Sequence, residues 1–160
     1  MKRLLGSLVC LAAWAGCGGD PIDAEGTYSV GITNRDNGCE FDNWTVGNQT
    51  SGIEVVVTQN GESALAEVKG AAGAFLDLWI GDATFSGDVA GNHLDMTIQG
   101  TRSQTMGNCT FTYDVAFAAN LVGDSLNGTI SYTAAHNGHS DCAAIECVSS
   151  QDFSGSRPPR

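Results

Sequence analysis

Between His136 and Cys147 the chain sets two histidines, Asp141 and two cysteines, Cys142 and Cys147, within twelve residues. Imidazole nitrogens and thiolates are the ligands of tetrahedral zinc, so this is the one segment whose residue types could hold a metal. The order of the ligands matches no standard zinc knuckle, and in an exported chain Cys142 and Cys147 are free to oxidise to a small disulfide loop. Oxidised sulfurs are not thiolate ligands, so the reading is a disulfide-pinned polar loop and no metal; a weaker site of His136, His139 and Asp141 alone is the remaining option. Asn34, Asp36, Gly38, Glu40 and Asp42 place oxygens on alternate residues. A calcium loop needs Asp-x-Asp-x-Asp-Gly and a later Glu, so an Asx-rich turn explains this stretch better. There is no Gly-x-Ser-x-Gly elbow, no glycine-rich phosphate loop and no His-Glu-x-x-His. His93 falls in a turn. The expectation is a chain that is not an enzyme and needs no cofactor. Trp44, in a polar stretch, is a candidate exposed or barrel-capping aromatic, whereas Trp79 in Leu76-Asp77-Leu78-Trp79-Ile80-Gly81 reads as core.

The elements that must position such residues are strands. From Cys109 to Ala134 the chain reads as two long arms joined at Val122-Gly123-Asp124. Phe111, Tyr113, Val115 and Phe117 alternate with polar or small residues on the first arm, and Leu126, Gly128, Ile130 and Tyr132 do so on the second. Alternation of period two gives one apolar and one wet face, the mark of an antiparallel sheet. Phe85 to Ile98 aligns without a gap on Phe117 to Ile130, matching Gly91-Asn92 to Gly123-Asp124, so a similar hairpin is expected there. Gly26 to Ile32 gives a first strand. Ile53–Gln59 and Ser63–Lys69 flank Asn60-Gly61, the strongest hairpin signal. Phe75 to Ile80 is apolar on both faces and fits either a strand or a turn of helix. Further strands are read at Phe85–Val89, His93–Thr101, Cys109–Asn120, Ser125–Ala134 and Val148–Arg157, with polar loops at 34–52 and 135–146. About eight strands in up-and-down order predict an all-β antiparallel barrel, the alternative being a two-layer β-sandwich.

Residues 1–16 are expected to be removed. Lys2 and Arg3 precede a short apolar run, Leu4 to Ala15, which is too short to span a bilayer. Trp14-Ala15-Gly16-Cys17 resembles the lipobox of bacterial lipoproteins, with Trp14 where an aliphatic residue is usual. That resemblance implies lipidation of Cys17 and a membrane anchored through it; with Gly18 rather than Asp after the cysteine, it implies the outer membrane. The rival is cleavage after Ala15 and release as a secreted or periplasmic protein. The six cysteines fit the lipoprotein reading: Cys10 leaves with the leader, Cys39, Cys109, Cys142 and Cys147 make two disulfides, and Cys17 is left over for the lipid. Cys39 is read as tied to Cys109. Loss of Lys2 and Arg3 takes the net charge from −11 to −13, which argues against nucleic acid as a partner. Asn43, Asn48, Asn108 and Asn127 fit the N-glycosylation pattern, which a bacterial lipoprotein would leave unused.

Gly26-Thr27-Tyr28 resembles the Gly-x-Trp of lipocalins and related calycins, with Tyr28 in place of the Trp. The resemblance implies a lipocalin-like barrel in which an arginine near the last strand covers that aromatic, and Arg157 stands in the right place. The organisation expected is a signal peptide over 1–16, the lipidated cysteine and tether over 17–25, one barrel domain over 26–157 and a tail over 158–160. Two functions are open. One is a small apolar ligand inside the barrel, bound by Tyr28, Met96, Phe111, Tyr113, Tyr132 and Trp44 with Val30, Ile32, Leu94, Ile98, Val115 and Ile130 around them. The other is a structural or protein-interaction module with a filled core, acting through its two disulfide-tied loops.

Overall fold

The computed structural model describes residues 21–160; the segment read as a signal peptide, Cys10, the lipobox-like segment with Cys17, and residues 18–20 lie outside them. Nine strands follow in chain order: β1 (Gly26–Asn37), β2 (Gln49–Asn60), β3 (Ser63–Val68), β4 (Thr84–Ala90), β5 (His93–Ile98), β6 (Gln104–Met106), β7 (Cys109–Val122), β8 (Ser125–His136) and β9 (Val148–Ser156). Each pairs antiparallel with its neighbours, β9 returns beside β1, and β5 closes on β7. The result is a closed barrel of eight strands, with β6 a short addition beside β7. Closure excludes the sandwich.

The central hairpin runs in unbroken register from Phe111↔His136 to Val122↔Ser125. Its aligned counterpart has the same architecture, with Ala90↔His93 flanking Gly91-Asn92 as Val122↔Ser125 flank Gly123-Asp124. Gly91 and Gly123 take φ of 57° and 61°, as a turn with glycine at its first central position requires. The β2–β3 turn is of the same kind. Asn60 stays in the ladder opposite Ser63, so Gly61-Glu62 makes the turn, one residue later than the Asn-Gly signal suggested.

Phe75–Ile80 belongs to helix α1 (Gly70–Trp79), between β3 and β4. Its run of Ala, Phe and Leu is compatible with a helix, and nothing in the preceding residues announces one: Lys69 caps it without a side-chain hydrogen bond. No helix among the described residues is long and apolar enough to cross a membrane.

The strands divide the barrel into two ends. The β2–β3, β4–β5 and β7–β8 turns lie at one end together with residues 21–25 and Arg157. Residues 38–48, α1, residues 99–108 and the β8–β9 connection, with its short 3₁₀ helix Ser140–Ile145, lie at the other. The first end is closed. Ala24 is wholly buried there, its N–H donates to Gln59 Oε1 (2.7 Å), and the Ile22 N–H donates to the Gly91 carbonyl (2.9 Å). The Tyr28 hydroxyl donates to the Ala24 carbonyl (2.9 Å), and the Arg157 guanidinium lies 5.6 Å from the Tyr28 ring centroid. Arg157 also pairs with Asp124 (3.0 Å) and donates to the carbonyls of Asp23 and Glu25. Arg157 thus covers the Tyr28 ring. Above it Val57, Ala64, Val89, Leu94, Met96, Leu121 and Leu126 fill the interior, all buried.

The disulfides join the loops of the opposite end: Cys39 to Cys147 and Cys109 to Cys142. Both expected pairings, Cys39 with Cys109 and Cys142 with Cys147, are therefore corrected. The 3₁₀ turn carries Cys142 back to the head of β7, while Cys147 lies at the start of β9, the strand that pairs with the far part of β1. Which cysteines meet is decided by that strand order and not by closeness in sequence.

Candidate functional site

Two strand irregularities shape the open end. Between Val30↔Ile53 and Ile32↔Thr50 an extra residue enters β2, where Gly52 takes φ of 76°. Between Asn34↔Gln151 and Asn37↔Ser149 an extra residue enters β1 at Arg35-Asp36. A bulge shifts the alternation by one, so Asn34 and Asn37 both turn inward. Asn34 Oδ1 accepts from Gln151 Nε2 (2.8 Å), and Gln151 Oε1 accepts from the Tyr132 hydroxyl (2.9 Å). Asn34, Gln151 and Tyr132 are all buried. Burial pushes the Tyr132 hydroxyl well above the ordinary tyrosine value and raises Tyr113 in the same way, so both stay neutral donors.

Asn37 in turn builds the rim. Its side chain donates to the Phe41 carbonyl (3.0 Å) and accepts from the Phe41 N–H (2.9 Å). Ser149, fully buried, accepts from the Cys39 N–H (3.0 Å), and the Cys39–Cys147 bond lies beside it. So fixed, Phe41 lies among four rings. Their centroids are 4.8 Å (Trp79), 5.1 Å (Tyr113), 5.7 Å (Trp44) and 6.0 Å (Tyr132) from its own. Trp79 stacks on Tyr113 at 5.3 Å, and Trp44 Nε1 donates to the Arg35 carbonyl (2.9 Å).

Below this aromatic layer the barrel is hollow. An apolar cavity of about 420 Å³ extends from Val30, Ile53 and Val55 past Val68, Phe85 and Phe153 to Ala72 and Leu76 of α1. A second hollow of about 540 Å³ forms the mouth, lined by Phe41, Trp44, Trp79 and Tyr113 with Glu40, Asp42 and several amides. The two share Ile32, Thr50, Phe75, Tyr132 and Gln151 in their walls, so the mouth adjoins the interior cavity. A small-molecule site of this size, apolar with few polar groups, is the commonest kind.

The structure divides the ligand-contact residues expected from sequence. Tyr113, Tyr132 and Trp44 line the mouth, and Val30, Ile32 and Ile130 line the interior cavity. Tyr28, Met96, Phe111, Leu94, Ile98 and Val115 line neither; they sit in solid core, Tyr28 beneath Arg157 at the far end and Phe111 edge-on against Tyr113 at 5.6 Å. Alternation identifies inward residues without distinguishing packed from hollow levels. Trp79, read as core, is half-buried at the mouth because α1 delivers it there. Gln151, Asn34 and Phe41 were missed. Gln151 had a signal, being a polar residue in the inward set of β9 with Ser149 and Phe153.

The histidine segment takes another role. Its two sulfurs are bonded to Cys109 and Cys39, and Asp141 Oδ2 accepts from the Asn108 N–H and side chain (3.0 and 3.1 Å). Asp141 thus fastens the β6–β7 turn. Among the described residues no three His, Cys, Asp or Glu side chains gather as a metal site. Asn34, Glu40 and Asp42 all line the mouth, but Asn34 Oδ1 is taken by the Gln151 side-chain N–H (2.8 Å).

The chain matches no known family model. Nor does any curated protein or solved structure match it.

Proposed function

We propose that this protein is an exported, lipid-anchored binding protein with a lipocalin-like barrel, which holds a small apolar ligand in the hollow half and catalyses nothing. The observation that carries the reading is the apolar cavity of about 420 Å³ adjoining an aromatic mouth. Void space is costly in a protein core, where atoms otherwise pack as densely as in organic crystals. A chain that fills one end with Leu94, Met96 and Leu126 and leaves the other open is built to receive something.

The anchor fits this arrangement. Cys17 precedes Ile22 by five residues, and Ile22 is bonded to the closed end. Five residues reach at most about 18 Å. Strand β7, running between the ends, has 14 residues, roughly 45 Å of strand before tilt. Lipidated at Cys17, the barrel would therefore stand on its closed end with its mouth away from the bilayer.

Native mass spectrometry of the disulfide-bonded chain from Gly18, exposed to a lipid extract of its host, tests the carrier reading. The expected result is a defined added mass that disappears on denaturation. A clean ligand-free mass would refute it for those lipids and favour the interaction-module alternative, for which Val46, Phe75 and Leu78 stand exposed at the open end. Globomycin treatment of producing cells tests the anchor: accumulation of unprocessed chain is expected, and unchanged processing would contradict lipidation.

A further inference from the structure

We propose that the ligand is a cationic amphiphile: an apolar body in the interior cavity and a positively charged head in the mouth, between the aromatic rings and the carboxylates of Glu40 and Asp42. This rests on the carrier reading and adds the charge of the ligand to it.

The lining of the mouth carries two carboxylates and no lysine or arginine. Among the described residues neither Glu40 nor Asp42 takes part in an ion pair, whereas the nearby Arg35 is engaged by Asp152 at 2.6 Å. Arg157 and Arg160 are committed to the closed end, with Asp124 and Asp23. Lys69 pairs with Glu67, and Arg102, at the open end but outside the lining, donates to the Asp77 carbonyl (3.4 Å), so an anionic head would meet two like charges and no cation in the lining. A cationic head meets opposite charge and the aromatic rings of Trp44, Trp79 and Tyr132 in the lining, a ring type whose π cloud attracts cations. The net charge of −11 draws cations toward the protein from a distance.

The backbone adds to this. Glu40 is the only non-glycine residue with positive φ, 54°, among the described residues. Glycine or asparagine would hold that conformation at lower cost. The loop instead keeps a carboxylate between Cys39 and Phe41, at the lip of the cavity. Deeper in, the Tyr132 hydroxyl donates its one proton to Gln151 Oε1 (2.9 Å) and has none left to offer an anionic head. The interior beyond it offers only hydrocarbon and aromatic walls apart from Thr50 and Gln151.

The test compares three amphiphiles with the same dodecyl-length chain below their micelle concentrations: an alkyltrimethylammonium, a neutral monoacylglycerol and a fatty acid. Trp44 and Trp79, the only tryptophans after the leader, report occupancy of the mouth by fluorescence. The cation is expected to bind about tenfold tighter than the neutral chain, the sum of an exposed ion pair and a cation–π contact. The fatty acid is expected to bind weakest. Raising salt from about 20 mM to about 500 mM should shrink the cation's advantage, and the double variant Glu40→Gln, Asp42→Asn should remove most of it, read as the ratio of cation to neutral-chain affinity on that same variant. Equal binding of cation and neutral chain, tightest binding of the fatty acid, or a cation preference untouched by the double variant would overturn this inference and leave the carrier reading standing. Binding of none of the three would overturn the carrier reading for single-chain amphiphiles, and this inference with it.

Discussion

At the closed end of the barrel, Tyr28, Leu94, Met96 and Leu126 fill the interior, and residues 22–25 lie across the opening under Arg157. At the open end the same strands present Val30, Ile53, Ala66 and Val68 to a cavity, and the covering parts are a loop, a helix and two disulfides. The closed end is held by burial and by Arg157 and Arg160. The open end is held by covalent ties and a polar relay, Tyr132–Gln151–Asn34. A barrel end that must stay hollow cannot draw its rigidity from packing, so cross-links and hydrogen bonds supply it instead.

Removing the cross-links should break that arrangement most severely. Loss of Cys39–Cys147, which spans 108 residues, is expected to cost about 4–5 kcal/mol, and loss of Cys109–Cys142, which spans 33, about 3–4 kcal/mol by the chain-entropy relation. Urea unfolding of the paired Cys→Ser variants measures both. Core truncation sharpens the contrast between ends. Leu94→Ala, in the solid half, should cost about 3 kcal/mol. Ile130→Ala, beside a cavity that already exists, should cost about 1–2 kcal/mol but weaken ligand binding. Equal costs would deny that one half is hollow. Arg157→Ala should lower stability by about 2 kcal/mol, because it leaves Asp124 and the Asp23 carbonyl without this donor and the Glu25 carbonyl with Arg160 alone, yet leave ligand affinity unchanged.

The smallest effect is a base limb. Tyr28, Tyr113 and Tyr132 are all raised above the tyrosine value of 10.0 by burial. Each folded form holds its proton where the unfolded chain releases it, so stability is intact below about pH 10 and falls as pH rises beyond it. Tyr132→Phe should flatten that fall, which unfolding curves at pH 9 to 11 would show.

How much of this the sequence disclosed depends on what each feature is made of. The β7–β8 hairpin was legible because its alternation and its Gly-Asp turn are local, and the β4–β5 hairpin because it repeats them. The pairing of Tyr28 with Arg157 was legible by resemblance, since barrel closure brings the first and last strands together. The disulfide pairing was not, because Cys39 and Cys147 meet only after β1 and β9 have paired. The helix was hidden in an apolar run with no capping residue. The cavity was hidden for a different reason. Met96 and Val30 are both inward residues of alternating strands, and only the sizes of their neighbours across the barrel decide that one is packed and the other borders a void.

Ala64 and Ala66 test the central claim most directly. They are two residues apart on β3 and both face inward, Ala66 on the cavity and Ala64 in the filled half. The measurement is the stability and amphiphile affinity of Ala64→Leu and Ala66→Leu side by side. Ala64→Leu should overpack the core and cost about 1–3 kcal/mol with affinity retained. Ala66→Leu should leave stability level or raise it, by occupying the void, and should abolish binding. Equal destabilisation by the two, or full binding by Ala66→Leu, would contradict a barrel that is solid at one end and a ligand site at the other.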